Sequence, residues 1–117
     1  MPKADRVRLR HMLDAAREAV GFARGRSRAD LHLDRMLALA LVRCIEIIGE
    51  AAAQIGPETR QRHAAIPWPD IVGMRNRLVH AYFDINLNFV WDTVTNDLPP
   101  LIAGLEAILA AEEEEGK

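Results

Sequence analysis

Apolar residues recur at steps of three and four along the first half of the chain, which is the spacing of amphipathic helices. The first stripe predicts a helix over residues 5–22, and its members are Leu9, Met12, Leu13, Ala16 and Val20. A longer stripe predicts a second helix over residues 33–55, and its members are Leu33, Met36, Leu37, Ala40, Cys44, Ile47, Ile48, Ala51 and Ile55. Ser27 or Asp30 is predicted to cap this second helical region.

Prolines and glycines divide the second half of the chain. Gly56-Pro57 predicts a short helix that ends near Arg62, because proline suits the first helical turn. Pro67-Trp68-Pro69 predicts an extended segment, followed by a helix from Pro69 to about Tyr82.

Two more helices are predicted after that segment. Asp84 or Asn86 can cap a helix over residues 87–96, and a last helix follows Asp97-Leu98-Pro99-Pro100 and ends in the glutamates. No segment of four or more residues alternates clearly between apolar and polar positions, so no strand is predicted. The predicted fold is therefore all-α, an antiparallel bundle of four to five helices. Trp68 and Trp91 are predicted as core or interface residues, Cys44 as a small apolar core residue, and Met12, Met36 and Met74 as core residues.

The size and composition of the chain favour a single soluble domain over residues 1–117. Half of the 117 residues are hydrophobic and 27% are charged. The longest mainly apolar stretch, residues 36–48, is shorter than the ~20 residues of a membrane-spanning helix. The chain starts without the apolar core of a secretory signal, and its single cysteine cannot form an internal disulfide. We therefore expect a cytoplasmic protein without membrane contact.

Charge is distributed unevenly along the chain. Residues 1–28 contain eight basic and three acidic side chains, whereas residues 112–115 are four consecutive glutamates. The basic segment is a candidate for contact with phosphates, although arginines that alternate with apolar residues are more often a solvated helix face. A negative run at a helix C-terminus opposes the helix dipole, so we expect residues 112–117 to be frayed and solvated.

Arg75 is the first residue that suggests a functional site. It lies four residues after Ile71 and four before Val79, so a continuous helix would place it within an apolar stripe. A guanidinium there needs a carboxylate, a phosphate or water. Glu46 and Glu50 are the predicted carboxylate partners, and a structural Arg–Glu pair is the alternative to a ligand site.

His80 is the second such residue. A continuous helix would place it one turn after Asn76, which could then orient the imidazole, but about 140° away from Arg75. For Arg75 and His80 to act together, either the helix ends or distorts near His80, or both residues contact one ligand in a groove. A histidine near a helix end is also a common dipole-stabilising residue.

The segment Arg75-Asn76-Arg77-Leu78-Val79-His80-Ala81-Tyr82 resembles the Arg-x4-His motif of HEPN domains, and in particular the HepT family. The resemblance extends over about residues 30–105. It includes residues 46–51 (EIIGEA), Pro67-Trp68-Pro69 before the motif, and residues 96–100 (NDLPP) after it.

This resemblance implies a metal-independent endoribonuclease that is the toxin of a type II-like toxin–antitoxin system. It also implies a homodimer in which the two copies of the motif meet in a cleft. In that cleft Arg75, Asn76 and His80 are catalytic, and Arg77 binds an RNA phosphate. The RNA substrate could be a tRNA. The implied antitoxin is a minimal nucleotidyltransferase of the MntA type, which neutralises the toxin by adenylylating Tyr82.

The sequence predicts no cofactor and no metal site, because its four histidines are scattered and it has one cysteine. Two other functions remain open at this point. One is a non-catalytic helical protein that binds nucleotide or phosphate as the partner of a nucleotidyltransferase. The other is a helical dimer in which Arg75 pairs with a glutamate and binds no ligand.

Overall fold

Helices form most of the chain in this computed structural model, which describes residues 1–81 and 84–115, apart from the side chains of residues 79–81 and 115. The elements are α1 (Lys3–Ala23), α2 (Arg28–Leu33), α3 (Arg35–Ala53), α4 (Pro57–Arg62), α5 (Trp68–Val72), α6 (Met74–Arg77), β1 (Val79–Ala81), β2 (Asp84–Ile85), α7 (Leu87–Asp92), a π-helix (Thr93–Asp97) and α8 (Leu98–Glu115). The predicted all-α class is confirmed. None of the described helices is long and apolar enough to span a bilayer.

The core is formed mainly by the long helix α1, which packs against α3 and α8. Four residues of the predicted α1 stripe, Leu9, Met12, Leu13 and Ala16, are fully or almost fully buried and Val20 is partly buried, and residues on the facing sides of α3 and α8 are also buried. The largest of these are Leu9, Met12, Leu13, Leu41, Ile45, Ile48, Leu98 and Leu105. Burial of apolar surface along all three helices is therefore the main source of stability.

The predicted second helix is interrupted at Asp34. This residue has an extended backbone (φ −118°, ψ 94°), and its carboxylate accepts a hydrogen bond from the backbone N–H of Leu37 (3.1 Å) and one from Arg26 (2.9 Å). Asp34 is thus the N-cap of α3, a position that aspartate favours. The prediction of one continuous helix from Leu33 is wrong because this cap starts a new helix.

The interruption changes which residues face the core. Met36 is 81% exposed, so the prediction that it is a core residue is wrong, and Leu33 of the predicted stripe is 84% exposed. Leu37, Cys44 and Ile48 of the predicted stripe are buried, and the other buried residues of α3 are Ala38, Leu41, Ile45, Gly49 and Ala52.

The Asp34 cap is sensitive to pH. The hydrogen bond from Arg26, followed by that from the Leu37 N–H, holds the pKa of Asp34 below its ordinary value. A carboxyl group whose pKa is lowered by folding stabilises the fold above its unfolded pKa. This contribution is lost as the pH falls through the lowered value.

The helix predicted from Pro69 to Tyr82 is also wrong in its second half. Helix α5 ends at Val72, and α6 is a single turn that ends at Arg77. The chain then forms β1, which pairs antiparallel with β2 through Val79 and Ile85. Valine and isoleucine favour extended backbone, and the carbonyl of Leu78 accepts a hydrogen bond from the N–H of Asn86 (2.6 Å), which helps to close this hairpin.

The segment after the hairpin begins as predicted, with Asn86 as the N-cap of α7. Its side chain accepts a hydrogen bond from the N–H of Phe89 (3.0 Å). The helix predicted over 87–96 is α-helical as far as Asp92 and continues as the π-helix from Thr93 to Asp97. There the hydroxyl of Thr93 is buried without a hydrogen-bond partner among the described residues. Such a hydroxyl costs stability, so packing alone does not explain the wide turn.

The acidic end of the chain is more ordered than predicted. Helix α8 continues to Glu115, and the Glu112 side chain is only 6% exposed. Its carboxylate lies 3.7 Å from the α-amino group of Met1 and 3.7 Å from Nε2 of His63. The expectation of a frayed, solvated run from residue 112 is therefore wrong for Glu112, because two basic groups lie beside its carboxylate.

We expect Glu112→Ala to lower the free energy of unfolding by about 1–3 kcal/mol, because it removes the carboxylate that lies beside the partly buried imidazole and amino groups. Urea denaturation of the full chain measures this change. Glu113→Ala is the matched control, since Glu113 is exposed and lies 4.0 Å from Arg10, so its effect should be under about 0.5 kcal/mol. Equal effects of the two substitutions would contradict the assignment.

Candidate active site

The single turn α6 presents three consecutive polar side chains to solvent. Met74 and Leu78, four residues apart, are 6% and 3% exposed and fix both ends of the turn in the core. Arg75, Asn76 and Arg77 lie between them and are all exposed. The spacing of the two buried anchors therefore holds the first part of the motif at the surface.

Helix α5 fixes the position of this turn. The side chain of Trp68 is buried, and its Nε1 donates a hydrogen bond to the carbonyl of His63 (3.1 Å). On the neighbouring helix α3, Gly49 allows close approach, because a Cβ there would lie 3.4 Å from the carbonyl oxygen of Ile71. The predictions that Trp68 and Met74 are core residues are confirmed.

Arg75 does not lie in an apolar stripe, which corrects the prediction. The helix breaks at Gly73 and restarts at Met74, so Arg75 faces solvent. Its guanidinium forms no ion pair or hydrogen bond with any described residue. Of the predicted partners, Glu50 pairs with Arg43 (3.6 Å) and Glu46 is half-buried on α3. The structural Arg75–glutamate pair is therefore absent from the described part of the chain.

The backbone places His80 in strand β1, beyond the end of α6. The prediction that Asn76 and His80 share a helix face is wrong, because no helix connects them. One of the two arrangements that would let Arg75 and His80 act together is observed, since the helix ends before His80. The His80 side chain and the whole of Tyr82 lie outside the described parts of the structure.

Arg77 has one nearby carboxylate, which the sequence analysis did not single out. Its Nη2 lies 3.9 Å from the carboxylate of Asp70, and the two side chains are 57% and 73% exposed. An exposed pair at this distance contributes little to stability, so Arg77 remains able to bind another anion. No sequence signal identifies this pair, because the helix breaks at Gly73 between the two residues.

Most arginines of the basic first third have carboxylate partners within the fold. Arg10 and Arg17 pair with Glu113 and Glu106 of α8, and Arg28 pairs with Asp92 of α7 at 2.6 Å. The positive charge of residues 1–28 is thus largely matched by acidic residues distant in sequence. These pairs are exposed, like that of Arg77, so they lower the net charge of the segment but leave its arginines able to bind an anion.

Cys44 takes no part in the site. It is buried on α3, and burial raises the pKa of its thiol to about 11, so the thiol is protonated at neutral pH. Its prediction as a small core residue is confirmed. Among the described side chains, no group of three His, Cys, Asp or Glu residues is arranged to hold a metal ion.

Comparison with known proteins places the chain in a family. The family model described as "Ribonuclease HepT-like" matches residues 12–108. The chain belongs to the HepT-like ribonuclease family. The resemblance inferred from Arg75 and the residues around it is thereby confirmed, and the protein is a ribonuclease by family.

Individual relatives of this HepT-like ribonuclease support the assignment over the whole chain. A protein of Caldanaerobacter subterraneus named "Putative RNase" is 36% identical over 111 residues, which is 95% of this chain and 99% of the relative. A "Putative RNase" of Methanocaldococcus jannaschii is 30% identical over 118 residues, covering 100% and 96% of the two chains. A "Probable ribonuclease HepT" of Thermococcus cleftensis is 37% identical over 79 residues, covering 68% and 72%. No solved structure matches this HepT-like ribonuclease.

Proposed function

We infer that this HepT-like ribonuclease is a metal-independent endoribonuclease and that Arg75, Asn76 and His80 carry its chemistry. His80 removes the proton from a ribose 2′-hydroxyl, and the 2′-oxygen attacks the adjacent phosphorus. The bond to the 5′-oxygen breaks, that oxygen takes up a proton from solvent, and the proton on His80 is later released to solvent. The products are a 2′,3′-cyclic phosphate and a 5′-hydroxyl.

Arg75 and Asn76 act on the phosphate in this proposal. The guanidinium of Arg75 binds the non-bridging oxygens and stabilises their increasing negative charge. Asn76 orients the scissile phosphate or the imidazole, and Arg77 binds a neighbouring phosphate. The observation that carries the proposal is the exposed Arg75-Asn76-Arg77 turn between two buried anchors, in which Arg75 has no partner among the described residues.

A second copy of the chain completes the site in this proposal. The exposed apolar side chains Leu33, Met36 and Leu39 follow one another at the end of α2 and the start of α3, which supports a homodimer. Sedimentation velocity should show a dimer for the wild type and a monomer for Met36→Glu. A monomeric wild type would remove the dimer from the proposal.

The physiological role proposed here is that of a cytoplasmic toxin controlled by a nucleotidyltransferase antitoxin. Adenylylation of Tyr82, two residues after His80, would add bulk and negative charge beside the phosphate site and thereby repel RNA. Co-expression with a nucleotidyltransferase encoded next to this chain should add one or more adenylyl masses to the intact protein. Tyr82→Phe should show no increase, and an increase that persists in this variant would exclude Tyr82 as the acceptor.

Incubation of the purified protein with RNA in excess chelator tests the ribonuclease mechanism. Cleavage should proceed and should leave cyclic phosphate ends, with tRNA as one substrate to include. Activity that requires an added divalent cation would contradict the metal-independent mechanism. Binding of RNA without cleavage would favour the non-catalytic role as partner of a nucleotidyltransferase.

A further inference from the structure

A cavity of about 580 Å³ lies beside the exposed turn α6. It is bounded by the segment before α5, by α5 and α6, and by the segment from α7 to the start of α8. Its lining includes the side chains of Met74, Arg77, Phe89, Asp70 and Asp97. Met74 and Arg77 lie three residues apart on α6, so one face of this turn forms part of the cavity wall while Arg75 and Asn76 lie on the same turn.

The walls of the cavity suit a flat, partly polar ring. Ile66, Ile71, Met74, Leu98 and Leu101 supply apolar surface. Phe89 is half-buried and adds an aromatic face of the kind on which nucleobases stack. The volume is within the usual range for small-ligand sites of about 300–1,000 Å³.

The polar groups of the cavity select among bases. Asp70 lies beside Arg77, whereas Asp97 has no ion pair or hydrogen bond with a described residue. A carboxylate only accepts hydrogen bonds. Guanine presents two adjacent N–H donors on its Watson–Crick edge, whereas adenine and cytosine place a ring-nitrogen acceptor beside their amino group and uracil has a single N–H between two carbonyls.

The position of Asp97 gives a second reason to regard the cavity as a binding site. Asp97 is the last residue of the π-helix, and single π-helical turns are frequently found at functional sites. The same turn buries the hydroxyl of Thr93 without a hydrogen-bond partner among the described residues, which costs stability. An α-helical turn in its place would have one residue fewer per turn and would rotate Asp97 relative to the cavity.

We propose that this cavity binds a guanine base next to the scissile phosphate, with the base against Phe89, its Watson–Crick edge on the Asp97 carboxylate and its phosphate on Arg77. Arg75 and Arg77 are two residues apart on α6, about 3 Å along the helix axis and about 200° around it, so the long Arg75 side chain would contact a phosphate on the other side of the turn from the cavity. The proposal rests on the ribonuclease function inferred above and adds a base preference to it.

Binding of free nucleotides tests the cavity separately from catalysis. Guanosine 5′-monophosphate should bind the full chain about tenfold tighter than uridine 5′-monophosphate in an NMR titration, because uracil offers the carboxylate one N–H between two repelling carbonyls where guanine offers two adjacent N–H donors. Inosine 5′-monophosphate, which lacks the 2-amino group, should bind with intermediate affinity. Asp97→Asn should reduce the preference for guanine, whereas Arg77→Ala should weaken all the nucleotides by a similar factor.

Two neighbouring alanines provide a matched pair of variants. Ala65 lines the cavity and Ala64 does not, and both are exposed. Ala65→Phe should block the cavity and abolish nucleotide binding, and it should reduce both the rate of RNA cleavage and the preference for cutting beside guanine. Ala64→Phe should leave all of these unchanged.

The outcomes separate this proposal from the one on which it rests. RNA cleavage without any base preference, together with nucleotide binding that is unchanged in Ala65→Phe, would overturn the guanine site but leave the ribonuclease mechanism intact. Guanine-selective binding that Ala65→Phe abolishes, in a protein that cleaves no RNA, would support the site and contradict the mechanism.

Discussion

Replacement of His80 by alanine is expected to lower the rate of RNA cleavage by about 100- to 10,000-fold, which is the usual contribution of a general acid–base residue. In the proposed mechanism an imidazole removes the 2′-hydroxyl proton, and alanine cannot do so. The measurement is the single-turnover cleavage rate in excess chelator, with RNA saturated by enzyme so that a change in binding does not obscure a change in chemistry.

A second histidine gives the matched control for this experiment. His32 lies on α2 and is exposed, so His32→Ala should cleave at the wild-type rate. His80→Ala should retain most of its affinity for RNA, because Arg75 and Arg77 are unchanged. A variant that cleaves RNA as fast as the wild type would exclude His80 as the base.

The sequence predicts the helical elements well where local signals and burial agree. The short helix α4 begins at Pro57 and ends at Arg62 as predicted, and Asn86 caps the next helix. Both depend on residues whose backbone preferences act over one turn. The α1 stripe is confirmed because Leu9, Met12 and their neighbours repeat with one uninterrupted phase.

The sequence predicts less well where a local signal competes with a periodic one. Asp34 stops a stripe that looks continuous, and its cap turns Met36 outward. At Gly73 and Leu78 the chain leaves a helix that the apolar spacing of Ile71 and Val79 seemed to continue. Periodicity alone contains no information on phase shifts of this kind.

The candidate site shows the same limit. The motif around Arg75 identifies the family from residue types alone, whereas the surroundings of Arg75 depend on the break in the helix. Assuming one straight helix led to a buried Arg75 beside Glu46 and Glu50, and the structure instead has an exposed Arg75. This exposure changes what its replacement should do to stability.

Replacement of Arg75 by alanine is expected to reduce kcat for RNA cleavage by about 100- to 1,000-fold, the range for loss of one group that stabilises transition-state charge. Arg75→Lys should recover part of this loss, because lysine keeps the charge but lacks the two-pronged geometry with which a guanidinium binds phosphate oxygens. Arg24→Ala is the control for loss of one positive charge, since Arg24 is exposed at the end of α1.

The stability of Arg75→Ala separates a functional arginine from a structural one. Loss of a buried arginine–glutamate pair would cost about 3–5 kcal/mol. Arg75 is exposed and makes no ion pair with the described residues, so its replacement should change the free energy of unfolding by less than about 0.5 kcal/mol. If cleavage assays show a loss of activity while urea denaturation shows unchanged stability, Arg75 acts in the reaction. If activity and stability are lost together, Arg75 acts in the fold.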